Sequence, residues 1–135
     1  MKKIIFLFVL LFSISSLRAQ EEFTERELNV DKYTDGTLTL PSDSSDIPLV
    51  IFIQGSGPTN RDGNQPMMKN NGMKKLAEEL AKNGIASYRF DKRIFKMNKF
   101  GIKEEDLRFE DFVNDVQSVV KHFASEEKFS KIILA

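Results

Sequence analysis

The chain has no cysteine at all and only one histidine, His122. Without cysteine there can be no disulfide framework and no lipid-modified cysteine anchor, so stability must come from packing. Without thiolates and with a single imidazole, no zinc site of the usual Cys/His type can be assembled, and no metal or cofactor is expected. Charge of one sign is lacking too: Lys+Arg and Asp+Glu both count 20. That balance leaves no net field to draw in nucleic acid or an acidic membrane surface. Repeats and low-complexity tracts are missing, and 135 residues suffice for one domain but not two.

Long hydrophobic runs are scarce as well. The one candidate, Ile4 to Leu17 behind the basic start Met1-Lys2-Lys3, carries three serines and falls short of the ~20 apolar residues that span a bilayer. It reads instead as a secretory signal peptide, residues 1–19, with a cut after Ala19. The expectation is export to the periplasm or beyond, with no stable membrane anchor once the peptide is removed, and a domain covering 20–135.

Within that domain, residues 21–30 are polar and acidic and read as a lead-in. Asp35-Gly36 between Val30–Tyr33 and Thr37–Leu40 then gives a hairpin signal. Leu49 to Ile53 is apolar at every position, which suits a central strand covered on both faces. Met73, Leu76, Ala77, Leu80 and Ala81 recur at helical spacing, and Asn83-Gly84 supplies a left-handed stop. Ile85–Asp91 reads as the next strand. A second helix is written by Phe109, Phe112, Val113, Val116, Val120 and Phe123 on one face, with Asp106 as its N-cap. Lys131–Ala135 opens a further buried strand. The predicted class is α/β, an antiparallel hairpin start followed by parallel strands with crossover helices.

The chemistry concentrates where the central strand empties into Gln54-Gly55-Ser56-Gly57-Pro58-Thr59-Asn60-Arg61-Asp62-Gly63-Asn64. A glycine-rich loop at the carboxyl edge of such a sheet exposes backbone N–H groups where open α/β proteins hold their ligands. Gly55-Ser56-Gly57 begins a GxGxxG pattern, but Asn60 stands at its last position and no helix opens within it. A Walker loop would need a closing Gly-Lys-Ser/Thr. A Rossmann-like nucleotide site, with Asp91 as its ribose acid, is the alternative; an oxyanion hole for acyl transfer is the better fit, because it needs unobstructed N–H donors. A bare strand-end turn without ligand is the bland reading of the same loop.

The segment from Ile53 to Asn64 resembles the "GSGPxxRDGN" stretch of bacterial α/β-hydrolases related to dienelactone hydrolases and acyl-peptidase-like esterases. Gly36–Pro41 is similar to that family's "GTLTLP" strand, Leu80–Arg93 to its "LAxxGIAxxRYDKRG", and Phe109–Asp115 to the helix before its nucleophile strand. The resemblance implies an exported serine hydrolase acting on a small acyl substrate, in which Ser56 N–H is an oxyanion donor and Gly55 and Gly57 shape the loop. It further implies that the strand at Lys131–Ala135 runs toward a Gly-x-Ser-x-Gly elbow, followed by the acid and the histidine. None of these three lies in the 135 residues, so the expectation is an amino-terminal portion of the fold, truncated at its carboxyl end and inactive alone, or else a noncatalytic remnant.

His122 precedes the nucleophile strand, the wrong order for a triad base, and is expected to be a partly exposed helical residue. Two departures from the family stand out: Ile94-Phe95 replaces Gly-x-Gly after Arg93, and Gln54 replaces a frequent His. Asp91, Lys92 and Arg93 fit either substrate contacts or a salt-bridged loop edge. Arg61-Asp62 is expected to fix the loop by local hydrogen bonds, and Met67-Met68 to pack over the cleft mouth.

Overall fold

The computed structural model describes residues 22–43 and 45–135; the signal-peptide segment lies outside them. Five strands form one sheet in the order β1-β2-β4-β3-β5: β1 Phe23–Asn29, β2 Asp35–Pro41, β3 Ile47–Phe52, β4 Ala86–Phe90 and β5 Phe129–Leu134. Helix α1 (Gly72–Lys82) joins β3 to β4, and α3 (Phe109–Ala124) joins β4 to β5, with a short α2 (Met97–Phe100) before it. β1 and β4 both pair antiparallel with β2, whereas β4 and β5 pair parallel with β3. An α/β fold with an antiparallel start and parallel crossovers results.

β3 shows why the arrangement forms. Its residues alternate between faces, and both sets are apolar: Leu49 and Ile51 pack with Tyr88, Val119 and Phe123, while Val50 and Phe52 pack with Ala77. One cluster faces α3 and the other faces α1, so β3 is buried on both sides. Ala77 and Ala81 have no measurable or almost no exposure, and their small side chains let α1 lie close on the sheet. Gly84, at φ +77°, takes the left-handed backbone just past that helix.

Several boundaries differ from the sequence reading. The polar stretch 21–30 is no lead-in: it supplies β1, an edge strand among the described residues, whose exposed face can be charged. The turn is therefore at Asp31, whose Oδ1 accepts from Tyr33 N–H at 2.8 Å, Thr34 N–H at 3.1 Å and Thr34 Oγ1 at 3.0 Å. Asp35-Gly36 lies inside β2, opposite Asn29 and Leu28. Glycine is required there for another reason, since a Cβ at position 36 would stand 2.2 Å from the Tyr88 ring.

Asp106 does not cap α3. It closes a 3-10 turn, Glu104–Asp106, and the helix starts at Phe109 with Asp111 accepting from Arg108 N–H at 2.9 Å. The apolar stripe of α3 is only partly buried. Val119 and Phe123 are fully covered, but Phe109 is 78% exposed. β5, expected to be buried, is an edge strand among the described residues and shows Ile133 and Leu134 to solvent.

Candidate active site

The carboxyl ends of β3, β4 and β5 meet beside a cavity of about 730 Å³. Ser56, Gly55 and Gly57 line it together with Phe90, Phe112 and Val116, so one rim is peptide backbone and the rest is largely apolar. Strand pairing continues up to its edge: Ala135 N–H donates to Ile51 C=O at 3.1 Å, and Ile53 N–H donates to Ala135 C=O at 2.7 Å. The end of β5 therefore abuts the start of the glycine loop.

Gly57 sits at φ +85°, in the left-handed region that favours glycine. Beyond it the chain bonds mostly to itself. Asn60 Oδ1 accepts from Asp62 and Asn64 N–H, and Asn64 Oδ1 accepts from Asn70 and Asn71 N–H. These side chains supply backbone partners that a loop otherwise lacks.

Two arginines fasten this loop to the sheet. Arg61 donates its backbone N–H and its Nε to Asp91 at 2.8 and 2.9 Å, and its terminal nitrogen reaches Glu27 at 2.6 Å and Thr37 at 3.0 Å. Burial works against the charge of Arg61, but Glu27 and Asp91 outweigh it and hold the guanidinium above its ordinary range. Arg89, in β4 and 1% exposed, pairs with Glu25 and Thr39 at 2.9 Å and lies 3.4 Å from Asp62. The contacts of Arg61 reach across three strands, further than the local bonding expected for it.

Arg93 does not line the cavity but braces Asp115, which does. Its Nε and one terminal nitrogen grip Asp115 at 2.7 and 2.5 Å, the other terminal nitrogen reaches Asp111 at 2.9 Å, and the guanidinium stacks 4.5 Å over Tyr33. The Asp115 hydrogen bond leads the causes that raise its pKa above the ordinary arginine range. Ile94-Phe95 continues as a 3-10 turn, Arg93–Lys96, so this stretch coils instead of forming an open glycine loop. Lys96 is held by Asp35.

The Lys92 ammonium donates to Gly55 C=O at 2.7 Å and also to Gly57 C=O. Burial lowers its pKa below the ordinary lysine value. Of the Asp91-Lys92-Arg93 run, Asp91 and Arg93 thus form the salt-bridged edge and Lys92 touches the glycine loop itself. No feature of the sequence alone picks out that contact, since it spans 35 and 37 residues.

Other expected site residues fall elsewhere. Met67 is fully exposed and Met68 half-exposed, and neither lines the cavity, so they do not cover its mouth. His122 sits in the last turn of α3, far along the helix from Phe109 at the cavity, with Nε2 3.5 Å from Glu126. α1 begins only at Gly72, well beyond Gly57, so the helix that follows the glycine loop does not open within it. A pyrophosphate would lack the helix dipole on which dinucleotide folds rely.

No family model matches the chain. Over 75 residues it is 33% identical to Esterase EstD of Thermotoga maritima, a stretch covering 56% of this chain and 18% of that protein. The chain thus spans under a fifth of the length of the curated relative it matches, and the similarity hints at an ester hydrolase relationship at that coarse level.

Proposed function

We propose that the chain forms the oxyanion side of an exported serine hydrolase of α/β-hydrolase type, acting on a small carboxylic ester or related acyl compound. The observation that carries this reading is the placement of Ser56. Among the described residues its N–H donates to no protein acceptor, it lines the cavity, and the end of β5 lies alongside. A tetrahedral intermediate needs such a donor, preorganised and already free of a competing acceptor. In an α/β-hydrolase one donor comes from the loop after β3 and the other from the residue following the nucleophile.

On this reading the reaction is acyl transfer to a serine. A serine in an elbow following β5 attacks the acyl carbon, a histidine takes its proton, and charge develops on the carbonyl oxygen beside Ser56 N–H. Gly55 and Gly57 keep side chains out of the space the oxygen enters. The apolar wall formed by Phe90, Phe112 and Val116 accepts the acyl or alcohol portion and lowers the local dielectric, which strengthens the donor. The 135 residues contain no Gly-x-Ser-x-Gly, so on this reading they supply no nucleophile by themselves. The esterase name of the Thermotoga relative agrees with an ester substrate.

The test is covalent labelling. The polypeptide expressed from its whole reading frame should take up a fluorophosphonate on one serine, mapped by mass spectrometry, and hydrolyse a short-chain aryl ester. A folded product that does neither overturns the proposal.

A further inference from the structure

The Lys92 ammonium is a point charge with three protons to donate, and two of them go to backbone carbonyls of one short loop. Gly55 C=O belongs to the same peptide as Ser56 N–H, and Gly57 C=O lies two peptides further on. In a trans peptide the N–H points opposite to the C=O it shares a plane with. Gly55 C=O faces Lys92, so Ser56 N–H is turned away from the ammonium. From Gly55 to Pro58, the bonds from Lys92 are the ones that tie the backbone to the rest of the molecule, among the described residues. Left to itself, a Gly-Ser-Gly segment samples many orientations of that peptide plane.

We infer that Lys92 is the positioning residue of the acyl-transfer site, fixing the Gly55–Ser56 peptide so that its N–H is presented to the developing oxyanion. This rests on the hydrolase reading above for its catalytic meaning, though the grip on the loop stands on geometry alone. Lys92 takes no proton and touches no reacting atom. It acts through the backbone, and its charge adds a positive field behind the donor peptide. Lys92 also lines the cavity, but on the hydrolase reading substrate binding rests on the apolar wall of Phe90, Phe112 and Val116. Loss of Lys92 therefore falls on the transition state and not on the ground state.

The experiment compares wild type, Lys92→Met and Lys92→Arg in the polypeptide from the whole reading frame. One readout needs no activity: the ¹³C carbonyl resonances of Gly55 and Gly57. In Lys92→Met both carbonyls should shift, with the melting temperature little changed. The second readout is kinetic. On an aryl ester, kcat should fall on the order of 10²-fold with KM nearly unchanged, the scale of losing one oxyanion donor, and Lys92→Arg should regain part of it.

Unmoved carbonyl resonances in Lys92→Met overturn the grip, whatever the activity. Shifted resonances with an unchanged kcat overturn the positioning role. A wild-type protein that neither hydrolyses esters nor takes up fluorophosphonate removes the hydrolase reading and the catalytic meaning of Lys92 together, while the resonances still decide whether it holds the loop.

Discussion

Arg61 closes on Asp91 twice, through its backbone N–H to Oδ1 at 2.8 Å and through Nε to Oδ2 at 2.9 Å. A carboxylate just past the end of β4 thus holds a loop residue thirty positions earlier in the chain. Both side chains are under 20% exposed, so water cannot readily replace either partner. Asp91→Ala should cost about 2–3 kcal/mol in urea unfolding, since it leaves Arg61 Nε and the Arg61 backbone N–H without the acceptor they share, while Glu27 and Thr37 keep only the terminal nitrogen. Asp91→Asn keeps one acceptor and should lose about half as much. A loss below ~0.5 kcal/mol in the alanine variant would show the loop to be held without this contact.

The two glycines that matter most predict opposite kinds of damage. At Gly36 a Cβ meets Tyr88 at 2.2 Å. Tyr88 cannot yield, because its hydroxyl donates to Leu28 C=O at 2.8 Å and its ring packs on Phe90 and Phe123. Gly36→Ala should therefore lower stability by about 2–3 kcal/mol, at the upper end of overpacking costs. At Gly57 nothing lies within 4 Å of a Cβ, and the penalty is the φ of +85°, about 1–2 kcal/mol for an L-residue. Gly57→Ala should leave the fold largely intact and, on the hydrolase reading proposed above, show its effect in ester hydrolysis.

What could be read from the sequence follows from which interactions are local. β3 was legible because Leu49–Phe52 is apolar at both parities, and α1 because its period ends at Asn83-Gly84. β1 was not, since Thr24, Glu25, Arg26 and Glu27 face solvent on an edge strand and carry no burial pattern. That omission shifted the turn onto Asp35-Gly36. The glycine loop could be placed at the sheet's carboxyl edge, but its fastenings could not. Lys92 and Asp91 reach it only because β4 lies next to β3, and adjacency of strands is a property of topology, which no short window of residues encodes.

Stability should fall on the acid side, and the carboxylates of the first hairpin say why. Burial would raise the pKa of Glu25, but Arg89, Lys74 and Thr39 outweigh it and leave it below its ordinary 4.5. Glu27 is lowered against burial by Arg61 and Thr37, and Asp31 by Thr34 and backbone N–H groups, from an ordinary 3.8. With folded values below unfolded ones, the unfolded chain binds more protons in this window. The stabilisation is fully present above about pH 4.5 and is lost as pH drops through the folded values. Glu25→Gln with Glu27→Gln should flatten the acid limb of a melting-temperature profile measured from pH 7 to 3. An unchanged limb would place the acid sensitivity elsewhere.

The strongest test of the cavity's architecture is the pair Arg93 and Asp115, both buried, at 8% and 4% exposure. Two hydrogen bonds at 2.7 and 2.5 Å join the turn after β4 to the middle of α3, whose Phe112 and Val116 line the cavity. Removing one charge leaves the other without its bidentate partner in a place water barely enters. Asp115→Ala should cost about 3–5 kcal/mol. Arg93→Met with Asp115→Leu should cost less than either single change, because two buried charges leave together and apolar volume is kept. If the cost of the double variant equals the sum of the singles, the pair is not coupled and α3 is held by Val119 and Phe123 alone. If it is coupled, restoring stability without the ion pair should, on the hydrolase reading proposed above, still leave ester hydrolysis impaired, since Asp111 would lose its arginine partner and the wall formed by α3 its fixed orientation.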